Sequence, residues 1–399
     1  LVGKHLHKKM GVQRLEIHGL DHLRQSLQQG AGIILTPNHC RWADGLVMAA
    51  MGLQLKQYFF YLVSYHLFKQ GRWQRWSLRR LGSYSVLREG ADHESIRATS
   101  QILSSAERPV VIFPEGTWFR QNDRLGPLQE GVGLIARHAA KSAVRPIVVH
   151  PIAIKYWMLD DPRPALHQRL GRLEARLGWH PQDHLDLIPR IEKFGGALLA
   201  IKEIEHLGQA QEGDLARRIH GLADTLIRRF EVENGIKENT EGFLDRIRQL
   251  RQRLVRRLAE TIDHPTENAT IRRTLDVLLF CENLTSHSQA YLHERPSMER
   301  LVEAVQRIEE TVTDQVETPL VPMGVVMEIG PALRVADYPR VKAAARQGGD
   351  PLMKAISHEV QTRLDGLIAQ GPPPEWGCPA PIESPPRSVQ EARPMSAHG

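Results

Sequence analysis

A histidine and an aspartate five residues apart carry the first sign of chemistry. In NHCRWADG, residues 38–45, His39 is followed by Asp44. A neutral imidazole accepts a proton from an alcohol. A carboxylate on its other nitrogen fixes the tautomer and stabilises the imidazolium that forms. Side chains five apart do not share a helix face, whereas those three or four apart do. His39 must therefore precede a helix, with Asp44 in the first turns reaching back. The alternative is an Asx turn and helix cap with no chemistry.

Three further stretches compete for attention. In FPEGTWFR, residues 113–120, Pro114 ends a strand and Gly116 allows a tight turn. Glu115 and Thr117 then stand at a strand end, near backbone amides that hold anions in such turns. Taken alone this is also an ordinary turn. In GSYSVLREG, residues 82–90, Arg88 stands at a strand end. Its guanidinium suits bidentate phosphate binding, although a lone arginine there is more often a surface ion-pair partner. In VVHPIAI, residues 148–154, Pro151 removes a ladder donor from a strand, and His150 beside it is a rival base.

The elements that position these residues alternate. RLEIHGL reads as an edge strand, then a helix capped by Asp21 and stopped by Gly30. The apolar run 31–39 reads as a buried strand that delivers the His39 loop, and residues 43–53 as a helix. Residues 56–67 mix aromatic and aliphatic side chains and read as a strand leading into a helix; 69–82 is a short basic stretch. Strand character at 83–89, helix at 95–105, strand at 108–114, helix at 130–140 and strand at 145–157 follow. This order predicts an α/β domain with a mainly parallel central sheet flanked by helices. Polar residues gather where strands end, which is where such sheets bind ligands.

Beyond residue 160 the pattern becomes helical, with arginines crowded on 244–260. A strand-like segment at 322–335 and an amphipathic helix at 350–370 follow. The division expected is an N-terminal extension at 1–13 without pattern, an α/β core at 14–159, a mostly helical insertion at 160–320, a return to the core at 321–370 and a disordered tail at 371–399. The tail is rich in Pro, Ser and Glu.

Bulk properties narrow the classes. With 41% hydrophobic and 25% charged residues in 399, the chain can bury a sizeable core. A formal charge of +6 tolerates anionic partners without choosing among them. The cysteines, Cys40, Cys281 and Cys378, make no metal-ligand spacing and suit a reducing compartment. No basic segment leads into an apolar run at the start, so no signal peptide is expected. No stretch approaches the roughly 18 apolar residues that span a bilayer. The expected place is a reducing compartment, the cytoplasm.

Four blocks in this order resemble the glycerolipid acyltransferase family, the group containing bacterial lysophosphatidic acid acyltransferases. Its first motif is an Asn-His pair with four residues between His and Asp, here Asn38, His39 and Asp44. Its third is Phe-Pro-Glu-Gly-Thr, matched in full by Phe113, Pro114, Glu115, Gly116 and Thr117. Its second places arginine six residues after glycine, as Gly82 and Arg88 do, and its fourth centres on a proline in an apolar strand, as Pro151 does. The resemblance covers about 14–157 and returns at about 321–370. The first and third motifs are specific; the second and fourth are weak.

The resemblance implies His39 as general base and Asp44 as its orienting acid. It implies that Arg88, Glu115 and Gly116 help hold the glycerol phosphate end of a lysolipid or glycerol phosphate acceptor. The acyl donor would be a thioester of coenzyme A or acyl carrier protein, and no metal or other cofactor is called for. Arg41 is a departure, since the family often has a small polar residue there; an added cation lowers the base's proton affinity or binds phosphate. Ser85 also departs, standing where an aromatic is usual.

The substrates imply contact with an anionic membrane surface. Trp73, Trp76, Lys69, Arg72, Arg75, Arg79 and Arg80 suit such an interface. Three rival readings remain: an acyl thioester or ester hydrolase, a basic nucleic-acid-binding protein, and a lipid-binding scaffold without activity. Nucleic acid is not expected, because acidic and apolar residues interrupt the arginine row and no known motif appears. A Cys40–His39 nucleophile is disfavoured because adjacent residues rarely meet in that geometry.

Overall fold

The computed structural model describes residues 2–64, 67–68, 71–86, 93–118, 120–236, 242–260, 265–286, 289–313, 319–339 and 350–380. Elements run α1 (Val2–Met10), β1 (Val12–His18), α2 (Leu20–Gln28), β2 (Gly32–Pro37), α3 (Asp44–Gln54), β3 (Phe60–Ser64), α4 (Arg72–Arg80), β4 (Ser83–Val86), α5 (His93–Ser105), β5 (Val110–Val111), α6 (Gly131–Ser142) and β6 (Ile147–Met158). Helices α7 (Arg163–Arg176), α8 (Leu187–Leu207), α9 (Leu215–Glu233), α10 (Phe243–Glu260), α11 (Pro265–Ser286), α12 (Gln289–Glu294) and α13 (Met298–Thr313) follow. Strands β7 (Met323–Ile329) and β8 (Leu333–Arg334) and helix α14 (Pro351–Gln370) then return to the sheet.

The described strands make one eight-stranded sheet in the order β1-β7-β6-β2-β5-β3-β4, with β8 also on β6. Strands β6, β2, β5, β3 and β4 are parallel neighbours. β7 and β8 run antiparallel to β6, and β1 runs parallel to β7. The sheet is thus mainly parallel, with β1 at an edge, as the sequence pattern predicts.

Alternation along β2 divides its side chains between two apolar layers. Ile33 and Leu35 join Val47, Met48 and Met51 of α3 and Ile152 and Tyr156 of β6 on one face. Ile34 joins Leu103, Val149, Ile356 and Val360 on the other. All of β2 is buried, which a parallel central strand requires. Gly32 lets α5 approach: a Cβ there would lie 2.2 Å from the Leu103 carbonyl oxygen.

Three sequence expectations are revised. Residues 2–10, read as patternless, form α1, which buries Leu6 in the core and packs Val2 and Met10 against it; the basic residues between them obscure these three apolar positions. The basic stretch at 69–82 contains helix α4. Residues 371–380 are placed on the fold, not in a loose tail. A 3-10 turn at Pro374–Trp376 sets Trp376 so close over Gly324 that a Cβ there would meet the indole. Residues 381–399 lie outside the described residues.

The insertion sits between β6 and β7 and has two parts. Leu166 and Leu170 of α7, Ile191 and Phe194 of α8, and Leu301 and Val305 of α13 join the core of the sheet. Helices α9, α10 and α11 have their own core around Leu222, Leu226, Leu250 and Leu278. The arginines of α10 are mostly spent within this unit: Arg246 bonds Glu231 and Asp224, Arg251 bonds Glu282, and Arg257 bonds Glu267. A row of paired cations offers little to a nucleic acid. Among the described residues no helix is long and apolar enough to cross a membrane.

Candidate active site

The site is built where β2 stops. Backbone pairing of β2 with β6 ends at Pro37 and Ile152. Asn38 continues it with its side chain, donating to the Ile154 carbonyl at 3.0 Å and accepting from the Ile154 amide at 2.7 Å. This fixes the direction in which the chain leaves the sheet. His39 is next, followed by a turn into α3, whose first residue is Asp44.

His39 Nδ1 lies 2.8 Å from Asp44 Oδ2. The same oxygen accepts from the backbone amides of Cys40 at 2.8 Å and Arg41 at 2.9 Å. Asp44 Oδ1 accepts from the Tyr156 hydroxyl at 2.6 Å. Every partner is a donor, and a carboxylate is an acceptor only, so Nδ1 carries a hydrogen; in the neutral imidazole Nε2 then holds the lone pair. The aspartate is fully buried, whereas the imidazole keeps 23% of its surface. A buried orienting acid and a base with one open nitrogen are what proton abstraction from a bound hydroxyl requires.

The Phe113–Thr117 block encloses this pair. The Phe113 ring stacks on the imidazole, with centroids 4.2 Å apart. Pro114 is buried in the turn, and the Gly116 amide donates back to the Phe113 carbonyl. Gly116 has φ of 70°, and a Cβ there would come within 2.8 Å of the Gln129 side chain. Thr117 is half-buried in the same turn. Glu115 is buried and uses both oxygens on backbone amides, His39 N–H at 2.6 Å and Gly126 N–H at 2.8 Å. It thus holds the His39 loop from behind.

Burial pushes the Glu115 carboxyl up to about 8, with its two amide donors pulling the other way and Asp44 adding repulsion. An unfolded chain would hold this proton only up to the ordinary 4.5. Between these values the folded state binds the extra proton. The group's contribution to stability is therefore full below about 4.5 and is lost as pH rises through about 8. Glu115→Gln, neutral throughout, should flatten that part of the curve whatever its absolute stability. Melting temperatures of the two proteins across this range test it; parallel curves would contradict it.

The rival groups have other employment. His150 is buried between the Gly330 carbonyl at 2.9 Å and Ser26 Oγ at 2.9 Å, and burial lowers its proton affinity. It is a core histidine. Pro151 sits where β7 gives way to β8, and its carbonyl accepts from the Gly330 amide at 2.8 Å. The Cys40 thiol is buried and held protonated, by burial first and Asp44 second, which removes it as a nucleophile. Arg41 turns toward α13, 3.6 Å from Glu303 and 3.5 Å from Gln306 Oε1, with its guanidinium over the Tyr156 ring. Arg88 lies outside the described residues.

Several contributors are not apparent from the motifs. Tyr156 comes from the far end of β6. Asn122 clamps the Tyr156 backbone as Asn38 clamps Ile154, donating to its carbonyl and accepting from its amide, each at 2.8 Å. Trp118 Nε1 donates to the Cys40 carbonyl at 3.0 Å, and its ring tilts against the exposed Trp42. Arg120 stacks on Trp118 and pairs with Glu310 of α13. Among the described residues no group of His, Cys, Asp or Glu is arranged to hold a metal ion.

Residues 14–155 match the family model described as Acyltransferase. The matched segment runs from β1 into β6 and contains both the His39–Asp44 pair and residues 113–117. That region is acyltransferase-like in sequence, and its strands carry the site just described. No curated protein matches the chain.

Proposed function

We propose that the protein moves a fatty acyl group from a thioester of coenzyme A or acyl carrier protein to a hydroxyl of a lysophospholipid or glycerol phosphate. The observation that carries this is the imidazole held through Nδ1 by a buried carboxylate, with Nε2 open on a partly exposed face. Nε2 takes the hydroxyl proton as the acceptor oxygen attacks the thioester carbonyl. The tetrahedral intermediate collapses with loss of the C–S bond. The imidazolium returns the proton to the thiolate, leaving ester and free thiol. Asp44 stabilises the imidazolium between these steps.

In this reading Glu115 positions the loop, because its two oxygens are already engaged. Arg88, Gly116 and Thr117 hold the phosphate end of the acceptor. Arg41 assists, since its Nε and Nη2 are buried without a hydrogen-bond partner. The direct test pairs labelled acyl-coenzyme A, and separately labelled acyl carrier protein, with a panel of lysolipids and glycerol phosphate. Formation of a labelled diacyl or monoacyl product supports transfer and identifies the acceptor. Labelled free fatty acid with every pair would support the hydrolase reading instead.

The protein is further proposed to work in the cytoplasm at an anionic membrane surface. Helix α4 is the support. Arg72, Arg75, Arg79 and Arg80 surround the exposed Trp76 and line a groove of about 430 Å³. Lys69 and the Trp73 side chain lie outside what the structure describes. Each arginine near such a surface contributes about 1 kcal/mol. Reversing all four to Glu should therefore lower binding to phosphatidylglycerol vesicles by more than about a hundredfold. Equal sedimentation of both proteins with these vesicles would contradict this.

A further inference from the structure

Tyr156 lies outside the motif blocks, yet its side chain hydrogen-bonds the dyad. Its hydroxyl lies 2.6 Å from Asp44 Oδ1, the oxygen that His39 does not use. It is completely buried, 112 positions away in sequence, and both its backbone amide and carbonyl are clamped by Asn122. A side chain fixed this firmly can discriminate between the two oxygens of a carboxylate. With Oδ1 occupied by the phenol, Oδ2 is left for the imidazole and two loop amides.

We propose that Tyr156 is a positioning residue for the dyad: its hydroxyl sets the rotation of the Asp44 carboxylate and the charge that this carboxylate presents to His39. The phenol draws electron density toward Oδ1 and weakens the acceptor that faces Nδ1. The other charged or titratable groups around the pair are Cys40 and Arg41 on the loop, Glu115 behind it and Glu303 on α13. Arg41 lies over the Tyr156 ring, with its Cζ 5.4 Å from the centroid, which polarises the phenol as a donor. Burial and the neighbouring Asp44 keep the phenol protonated, so it donates at every working pH.

The inference rests on His39 being the base, and its test is chosen to fail separately from the proposed reaction. The readout is the low-field proton resonance of His39 Nδ1–H in the substrate-free protein. In Tyr156→Phe the freed carboxylate is the stronger acceptor, so this resonance should move downfield. In protein carrying 3-fluorotyrosine in place of Tyr156, the more acidic phenol should move it upfield. The fluorinated protein keeps the native shape and decides the matter if the phenylalanine variant does not fold. Opposite shifts in the two proteins support the proposal; an unmoved resonance in the fluorinated protein overturns it. With substrate, Tyr156→Phe should lower kcat about tenfold, because the lost hold on the rotation of Asp44 outweighs its stronger acceptance, and leave KM within about twofold. A change confined to KM would also overturn it.

Discussion

His39→Ala is expected to reduce acyl transfer by about a thousandfold, within the range that a positioned general base supplies. The loss should appear in kcat if, as proposed, the imidazole abstracts a proton in the transition state. The fold should survive. The ring keeps part of its surface and stacks on Phe113, so truncation forfeits about 0.5–1.5 kcal/mol of ring stacking. Activity measured beside a melting curve separates the two effects. A variant with unchanged kcat would remove His39 from the chemistry.

Asp44→Asn should cost almost as much activity and more stability. The carboxylate accepts from the His39 imidazole, two amides and a phenol. An amide side chain has one acceptor atom, so at least one of these buried donors must face an NH2 group. Leaving a buried donor unsatisfied costs about 1–3 kcal/mol. The imidazole also loses the acceptor that keeps its hydrogen on Nδ1, and the competing tautomer presents N–H to the substrate hydroxyl. A loss of about a hundred- to a thousandfold in kcat is expected. In the proposed mechanism His39 and Asp44 act as one unit, so the double variant should be hardly worse than His39→Ala alone. Additive losses would show that the two side chains work independently.

The dyad was legible in the sequence because its two members are neighbours on the chain. An apolar strand ending at residue 37, a short turn and a helix beginning at Asp44 are all local features, and their order brings His39 and Asp44 together. The parallel sheet was legible for a similar reason, since apolar strands alternated with helices. Pairing across the sheet was not. Tyr156 reads as one more aromatic in a buried strand, and only the register of β6 against β2 carries it to Asp44. Glu115 looked like a ligand-holding residue in a turn. Its use on the His39 and Gly126 amides depends on how two loops meet.

The insertion shows the same limit. Its helices were apparent from spacing, but amphipathic patterns do not say which face meets which partner. Helix α13 turns out to border the site, with Glu303 and Gln306 on Arg41, Glu310 on Arg120, and Glu299 accepting from the Met158 amide at the end of β6. The arginine row of α10 shows the opposite outcome. A feature conspicuous in sequence is largely consumed by internal ion pairs.

The central claim is that His39 activates a hydroxyl acceptor and not water. Thiol release from acyl-coenzyme A and from acyl carrier protein, followed with and without lysolipid acceptor, tests it most directly. Release should require acceptor, match the amount of new acylated lipid and disappear in His39→Ala. Release at the same rate without acceptor, yielding free fatty acid, would contradict it.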